Sequence, residues 1–397
     1  SFVQALGDLH CDAVALAVEL PLGIALALAM PRAGRLAGAV AIAVAVPLIV
    51  PWAAVGALWR IAADPQVGLL GASLQALGLG WRPAERALDA WLLLLAVDVW
   101  HWTPLVALLC HAALRTLPAA GEHAADLDRA TGFGAFRHLA WPRLRAVLVV
   151  AAVLRLADGL ASASDPATVL GGGPGQATGT APLPYPGPFL AGHVVRWIAG
   201  GLEPGPAAVL SLLWFGVVAA AALVLYLALR RVSAGVGEDT VAGPVGEVGE
   251  VGAERSASRL RRRGQPLLLL IWLVFSALPL AALVALSLKP TAELAAPFTF
   301  WPQAVSWDHY RALVAGMHWT GLADWTRWTP WSRSYLQSLG YAAISTVASL
   351  LIALPAAYAL SRRAFFGDRT LMAWLLVNRL TPPAILLGAY LQGAALA

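Results

Sequence analysis

Long apolar stretches separated by short polar, arginine-bearing segments set the pattern of this chain. Runs long enough to cross about 30 Å of hydrocarbon as a helix fall at roughly 10–30, 36–58, 90–113 and 146–163, and again at roughly 206–229, 266–288, 336–360 and 370–395. Each predicts a transmembrane helix, because a helix satisfies its own backbone where no water is available. The predicted fold class is therefore all-α integral membrane: a polytopic helical bundle of about eight transmembrane helices.

Arginine gathers in alternate loops. One set holds Arg32 and Arg35; Arg115, Arg129, Arg137, Arg143 and Arg145; Arg230 to Arg263; and Arg362, Arg363 and Arg369. The positive-inside bias makes these loops cytoplasmic. Residues 232–265 open with VSAGVGEDTVAGPVGEVGEVGAERSAS, which has no aromatic residue and no periodic apolar face, and so read as a flexible cytoplasmic linker. The linker separates a first unit, 1–231, from a second, 266–397. GIALALAMPR at 23–32 is similar to ALPAAYALSR at 353–362, and each precedes a run with paired prolines, Pro47 with Pro51 and Pro382 with Pro383. Internal repeats of this kind occur in transporters.

Composition strengthens the membrane reading, with 59% hydrophobic against 12% charged residues and a mean hydropathy of +0.71. Cys11 and Cys110 each sit in an apolar run, as packing thiols do. The basic excess is almost wholly arginine, Lys289 being the only lysine, and no basic patch with interleaved aromatics suggests nucleic acid. A phosphate-binding Walker loop needs Gly-Lys-Ser/Thr, whereas Lys289 precedes Pro290. No residue grouping has metal-ligand spacing or a nucleophilic arrangement. Neither a catalytic site, nor a metal, nor a cofactor is expected. The chain opens at Ser1 and stops at Ala397 within an apolar run, so both ends read as cut.

One predicted cytoplasmic stretch, 118–145, reads PAAGEHAADLDRATGFGAFRHLAWPRLR. It resembles the loop by which permeases of binding-protein-dependent ABC importers dock on their ATPase. That family carries Glu-Ala-Ala, then Ile-Asp-Gly-Ala, then Phe-Arg and Leu-Pro at fixed distances. Here Ala124, Ala125, Asp128, Ala130, Phe136, Arg137, His138 and Pro142 occupy matching positions. Two departures stand out: His123 takes the glutamate position, with Glu122 one residue early, and Arg129 takes the glycine position, where a side chain resists a backbone turn. Asp98, Trp100, Thr103, Pro104 and Val106 are similar to a Val-Asp-Val-Trp and Thr-Pro pattern of the maltose-type carbohydrate permeases. GGGPG at 171–175 lies at the family's distance from Arg155 and Asp158. In the second unit SLKP at 287–290, Trp307 to Tyr310, Tyr335 to Ser338 and LTPP at 380–383 resemble the partner subunit.

The resemblance thus implies a fusion of two homologous permease units, the first lacking its opening span and the second cut before its own docking loop. It also implies a bacterial inner (plasma) membrane location, and the partners are two copies of a cytoplasmic ATP-binding subunit, an extracytoplasmic solute-binding protein and membrane lipid. The implied function is import of a sugar or related solute, with ATP hydrolysis in the partner and none in this chain. An ion-coupled secondary transporter is the alternative, as is a degenerate permease that assembles but couples poorly.

Charges within spans cost roughly 2.5–3.5 kcal/mol each on insertion scales and turn toward protein or water. Glu19, Asp98, His101, Arg155, Asp158 and Arg379 fall in or near spans. Arg155 and Asp158, three apart, predict a local ion pair, and with Asp98 and Trp100 they are the candidates for lining a translocation path. The 301–331 stretch holds Trp301, Trp307, Trp319, Trp325, Trp328 and Trp331. These fit an interfacial aromatic belt, or a surface for a sugar or its binding protein.

Overall fold

The computed structural model describes residues 2–31, 34–115, 133–161, 264–294, 299, 301–315 and 330–362, with isolated positions at 209, 216, 220, 367, 371, 374 and 375. Every element among them is helical. The long helices are α1 (Phe2–Ala29), α2 (Gly34–Ile49), α3 (Trp52–Ala63), α4 (Leu69–Ala76), α5 (Ala87–Arg115) and α6 (Trp141–Ala161). They are followed by α7 (Gln265–Ser287), α8 (Asp308–Ala315) and α9 (Pro330–Arg362). Apart from those isolated positions, the predicted spans at 206–229 and 370–395 lie outside the described residues, as do the GGGPG loop and the linker up to residue 263, while Gln265, counted in the linker, is the first residue of α7.

Among the described residues, three helices are long and apolar enough to cross a membrane: α5, α7 and the Arg333–Leu360 portion of α9. The predicted span at 36–58 is not one helix. It breaks into α2 and α3, which meet at an angle of 93°. The cause is proline chemistry. Pro51 has no N–H to close the bond expected by the carbonyl four residues earlier, that of Pro47, and its ring clashes with a continuing helix. The chain is extended at Pro51 (φ −62°, ψ 143°), whose carbonyl then accepts the N–H groups of Ala54 and Val55 at 2.9 Å and starts α3.

The chain divides into two compact units, residues 1–283 with 376–397 and residues 284–375. In the first, α5 is the central helix and α1, α2 and α6 pack around it. One core cluster joins Ala27 of α1 to Val106, Cys110 and Leu114 of α5 and to Leu144, Leu148 and Ala151 of α6, with Phe136 against its edge. A second gathers Val55, Leu58, Trp59, Trp81, Leu93, Val97 and Trp100. A third seats Trp272 of α7 among Leu26, Met30, Val44, Val99 and Ala107.

Helices in lipid gain by close approach of small residues, and Gly23 supplies it: a Cβ there would lie 2.5 Å from Val106 Cγ1. The turn after α3 is closed by Asp64 Oδ1, which accepts the N–H groups of Gln66 at 2.8 Å and Val67 at 3.0 Å. Trp81 Nε1 donates to the Ala63 carbonyl at 2.9 Å and satisfies one of the acceptors left at the end of α3.

In the second unit, the last turn of α7 runs into a folded segment ending in α8. The apolar side chains of α9, among them Tyr341, Ile344, Leu351 and Ile352, are exposed along its length.

Candidate functional site

Arg155 on α6 is the hub of a buried ionic cluster. Its side chain is 3% exposed, and Nε lies 3.2 Å from both carboxylate oxygens of Glu19 on α1, itself fully buried. Nη2 pairs with Asp98 Oδ2 on α5. Asp158, expected to be the local partner, is the more distant one, with Oδ2 3.9 Å from Nη1. The preference is physical. Arg presents a planar fork of donors, and burial rewards carboxylates that can accept them directly, so two interhelical partners take the short contacts. The indole of Trp102 covers the guanidinium, 5.3 Å from ring centroid to Cζ.

The cluster therefore ties α1, α5 and α6 together where hydrocarbon would otherwise surround the charges. Within reach of the one guanidinium are three carboxylates, an excess of negative groups. Sequence pattern marked Glu19 only as a span charge without a partner. Its signal is that it is the one acidic residue in the apolar run 13–29. Trp102 was missed in favour of Trp100, which faces elsewhere: it is fully buried, donates from Nε1 to the Ser276 carbonyl at 3.3 Å, and meets Trp59 edge-on at 5.8 Å.

One turn from Asp98, His101 bonds the backbone of Pro47. Pro47 has only a carbonyl to offer, the one that Pro51 leaves without a donor, so the imidazole is the donor. Trp52 stacks obliquely on the same ring at 4.3 Å. His101 Nδ1 and Thr103 Oγ1 are buried and have no hydrogen-bond partner among the described residues. Broken spans with free polar groups beside them are where membrane transporters place solutes and ions. Among the described residues no group of histidine, cysteine and carboxylate side chains could hold a metal ion.

The second part of the site is the foot of α6. Of the docking-loop positions, Glu122, His123, Ala124, Ala125, Asp128 and Arg129 lie outside the described residues, whereas Phe136, Arg137, His138 and Pro142 are placed. A helical turn at Phe133–Ala135 passes into a π-helical turn, Phe136–Ala140, and then into α6. Such widened turns concentrate at functional sites. Phe136 is half-buried against the α1–α5–α6 core, and Phe133 and Trp141 flank it at 6.4 and 6.1 Å between ring centroids. Phe133 and Trp141 are 63% and 44% exposed, and Arg137, His138 and Pro142 are exposed beside them. The result is an aromatic knob, rooted in the helix core and rimmed by basic groups.

No protein-family model matches the chain. Curated proteins do. The trehalose/maltose transport system permease protein MalF of Thermococcus litoralis is 33% identical over 135 residues, covering 32% of this chain and 45% of that protein. The probable ABC transporter permease protein y4oQ of Sinorhizobium fredii is 30% identical over 128 residues, covering 32% and 41%. The sn-glycerol-3-phosphate transport system permease protein UgpA of Yersinia pseudotuberculosis is 34% identical over 132 residues, covering 32% and 44%. The chain spans less than half the length of these curated relatives. Over about a third of its own length, then, this helical, membrane-type chain is similar to the permease components of ABC transporters.

Proposed function

We propose that the chain is the membrane-spanning permease of an importer that takes up a sugar or related solute, delivered by an extracytoplasmic binding protein and driven by two copies of a separate cytoplasmic ATPase. The observation that carries this reading is the knob of Phe133, Phe136 and Trp141 at the position of the family's docking motif. A part-exposed aromatic tip rooted in a packed core can seat in a partner's groove and pass its closure on as rigid-body motion. In this reading Glu122, His123, Ala124, Ala125, Asp128 and Arg129 complete the docking surface. The Asp98–Arg155–Asp158 cluster borders the solute path, and Trp100 acts as packing. The chain has about eight spans in two homologous units, lies in a bacterial inner membrane, and hydrolyses no ATP itself.

The buried cluster also favours a second reading, an ion-coupled secondary transporter, because carboxylates gathered inside a helical bundle are what ion coupling uses. Uptake of labelled maltose or trehalose into right-side-out vesicles that hold the ATPase and are loaded with ATP, with the binding protein outside, separates the two. ATP-dependent uptake that survives a protonophore supports the importer. Uptake abolished by the protonophore and indifferent to ATP supports the secondary transporter.

A further inference from the structure

The second unit carries a tightly built segment at the end of α7 that the transport reading does not use. Three hydrogen bonds lash residues 306–310 to the end of that helix and the two residues after it, Ser287 to Lys289. The Ser306 N–H donates to the Leu288 carbonyl at 2.8 Å, the His309 ring meets the Lys289 carbonyl at 3.0 Å, and the Tyr310 hydroxyl lies 2.7 Å from Ser287 Oγ. A second set organises the approach. Lys289, only 5% exposed, donates from Nζ to the Thr299 carbonyl. Glu293 accepts from Thr299 Oγ1 at 2.9 Å and from the Gln303 N–H at 3.1 Å. Ser306 Oγ accepts the Asp308 N–H at 3.1 Å and starts α8.

Among the side chains that this strap leaves exposed, Trp301, Val305, Trp307 and Tyr310 are apolar or aromatic, beside the exposed ion pair of Asp308 and Arg311 at 3.5 Å. Trp307 and Tyr310 pack at 5.5 Å, and Val284 on the last turn of α7 is exposed as well. Ordering a surface so that it displays tryptophan to water has no gain unless something apolar covers it.

We propose that this strap is a membrane-interface anchor, with Trp307, Tyr310 and Val305 resting in the headgroup–acyl boundary of the bilayer. Position supports lipid as the occupant. The 23 residues of α7 span roughly 34 Å at 1.5 Å per residue, enough to cross the hydrocarbon, so Ser287 marks its boundary. The Ser287–Tyr310 bond fixes the aromatic pair within a turn of that level, continuous with the exposed apolar face of the helix end. Charge supports it as well. Between 284 and 315 the basic residues are Lys289 and Arg311 and the acidic ones Glu293 and Asp308, which balance, so attachment does not depend on anionic lipid. Tryptophan and tyrosine favour this boundary because one end of the ring system is apolar and the other polar.

The inference requires only that α7 spans the bilayer, so its failure would leave the importer reading standing. The test uses the full chain with Cys11 and Cys110 replaced by alanine, reconstituted in phosphatidylcholine nanodiscs. A nitroxide is placed in turn at Trp307→Cys, at Val305→Cys, and at Ile271→Cys on α7 as the hydrocarbon reference. Relaxation by oxygen and by a water-soluble nickel complex then reports depth. The anchor predicts oxygen accessibility exceeding nickel accessibility at both 305 and 307, by less than at 271. Nickel accessibility exceeding that of oxygen at either position overturns the anchor, and would mean an aqueous face suited to a protein partner. Val305→Cys keeps the test decisive if loss of the tryptophan disturbs the strap.

Discussion

Arg155 on α6 and Glu19 on α1 meet across 136 residues of chain, with Nε 3.2 Å from both carboxylate oxygens, and this contact, with Asp98, makes α1, α5 and α6 one charge-tied group of helices. Removing only the guanidinium would leave buried carboxylates without a counter-ion, at a cost of about 3–5 kcal/mol. Arg155→Leu should therefore sharply lower the thermal unfolding temperature in nanodiscs. The combined change Glu19→Gln, Asp98→Asn, Arg155→Gln should be milder than Arg155→Leu alone, and Asp158→Asn, 3.9 Å from Arg155, milder still.

The break between α2 and α3 gives a second expectation. If the Pro47 carbonyl depends on His101 for its hydrogen bond, His101→Phe keeps the ring against Trp52 yet strands an acceptor, at about 1–3 kcal/mol. His101→Gln retains a donor and should recover most of that loss. Hydrogen exchange in the first turn of α3 reads the difference. Equal protection in the two variants would count against the brace.

These two contacts also mark what sequence could and could not give. The helices at 87–115, 265–287 and 330–362 were legible, because their apolar runs at 90–113, 266–288 and 336–360 are long and carry between them a single acidic or basic residue besides histidine, Asp98. The break at 36–58 was half legible: Pro47 and Pro51 were visible as a pair, but a composition window counts proline as apolar and reads through it. Pairing Arg155 with Asp158 followed helical spacing, the only geometry a sequence shows. Choosing Glu19 and Asp98 instead depends on how three helices rotate and slide against one another, which packing decides. The same holds for Trp102 against Trp100, neighbours but one on α5 that face different surroundings.

Close approach of α1 and α5 rests on Gly23. Gly23→Val would press into Val106 and should destabilise the bundle by about 1–3 kcal/mol. Gly340→Ala, where an added Cβ meets nothing within 4 Å, should be neutral or slightly stabilising in the same assay, since alanine is the better helix former.

Acid should loosen the strap that follows α7. Partial desolvation pushes the Glu293 carboxyl up, but hydrogen bonds from Thr299 and the Gln303 N–H, together with the Lys289 charge, outweigh it and hold the group below its ordinary value of 4.5. A carboxyl lowered in the folded state contributes order that is present above its unfolded value and lost as pH falls through the folded one. Nitroxide mobility at position 305 should thus stay constant at neutral pH and rise only below about pH 4.5. Glu293→Gln should remove that acid step. A mobility change centred well above pH 4.5 would assign it to another group.

Association with an ATPase is the most direct measure of the central proposal. The full-length protein, purified in nanodiscs with the ATP-binding subunit of its host, should hold two copies of that subunit. Phe133→Asp combined with Trp141→Asp should release them while the chain stays folded in the membrane. If no ATP-binding subunit associates with the unaltered protein, or if the doubly substituted protein holds it as firmly, the knob at the foot of α6 is not a docking surface and the importer reading fails.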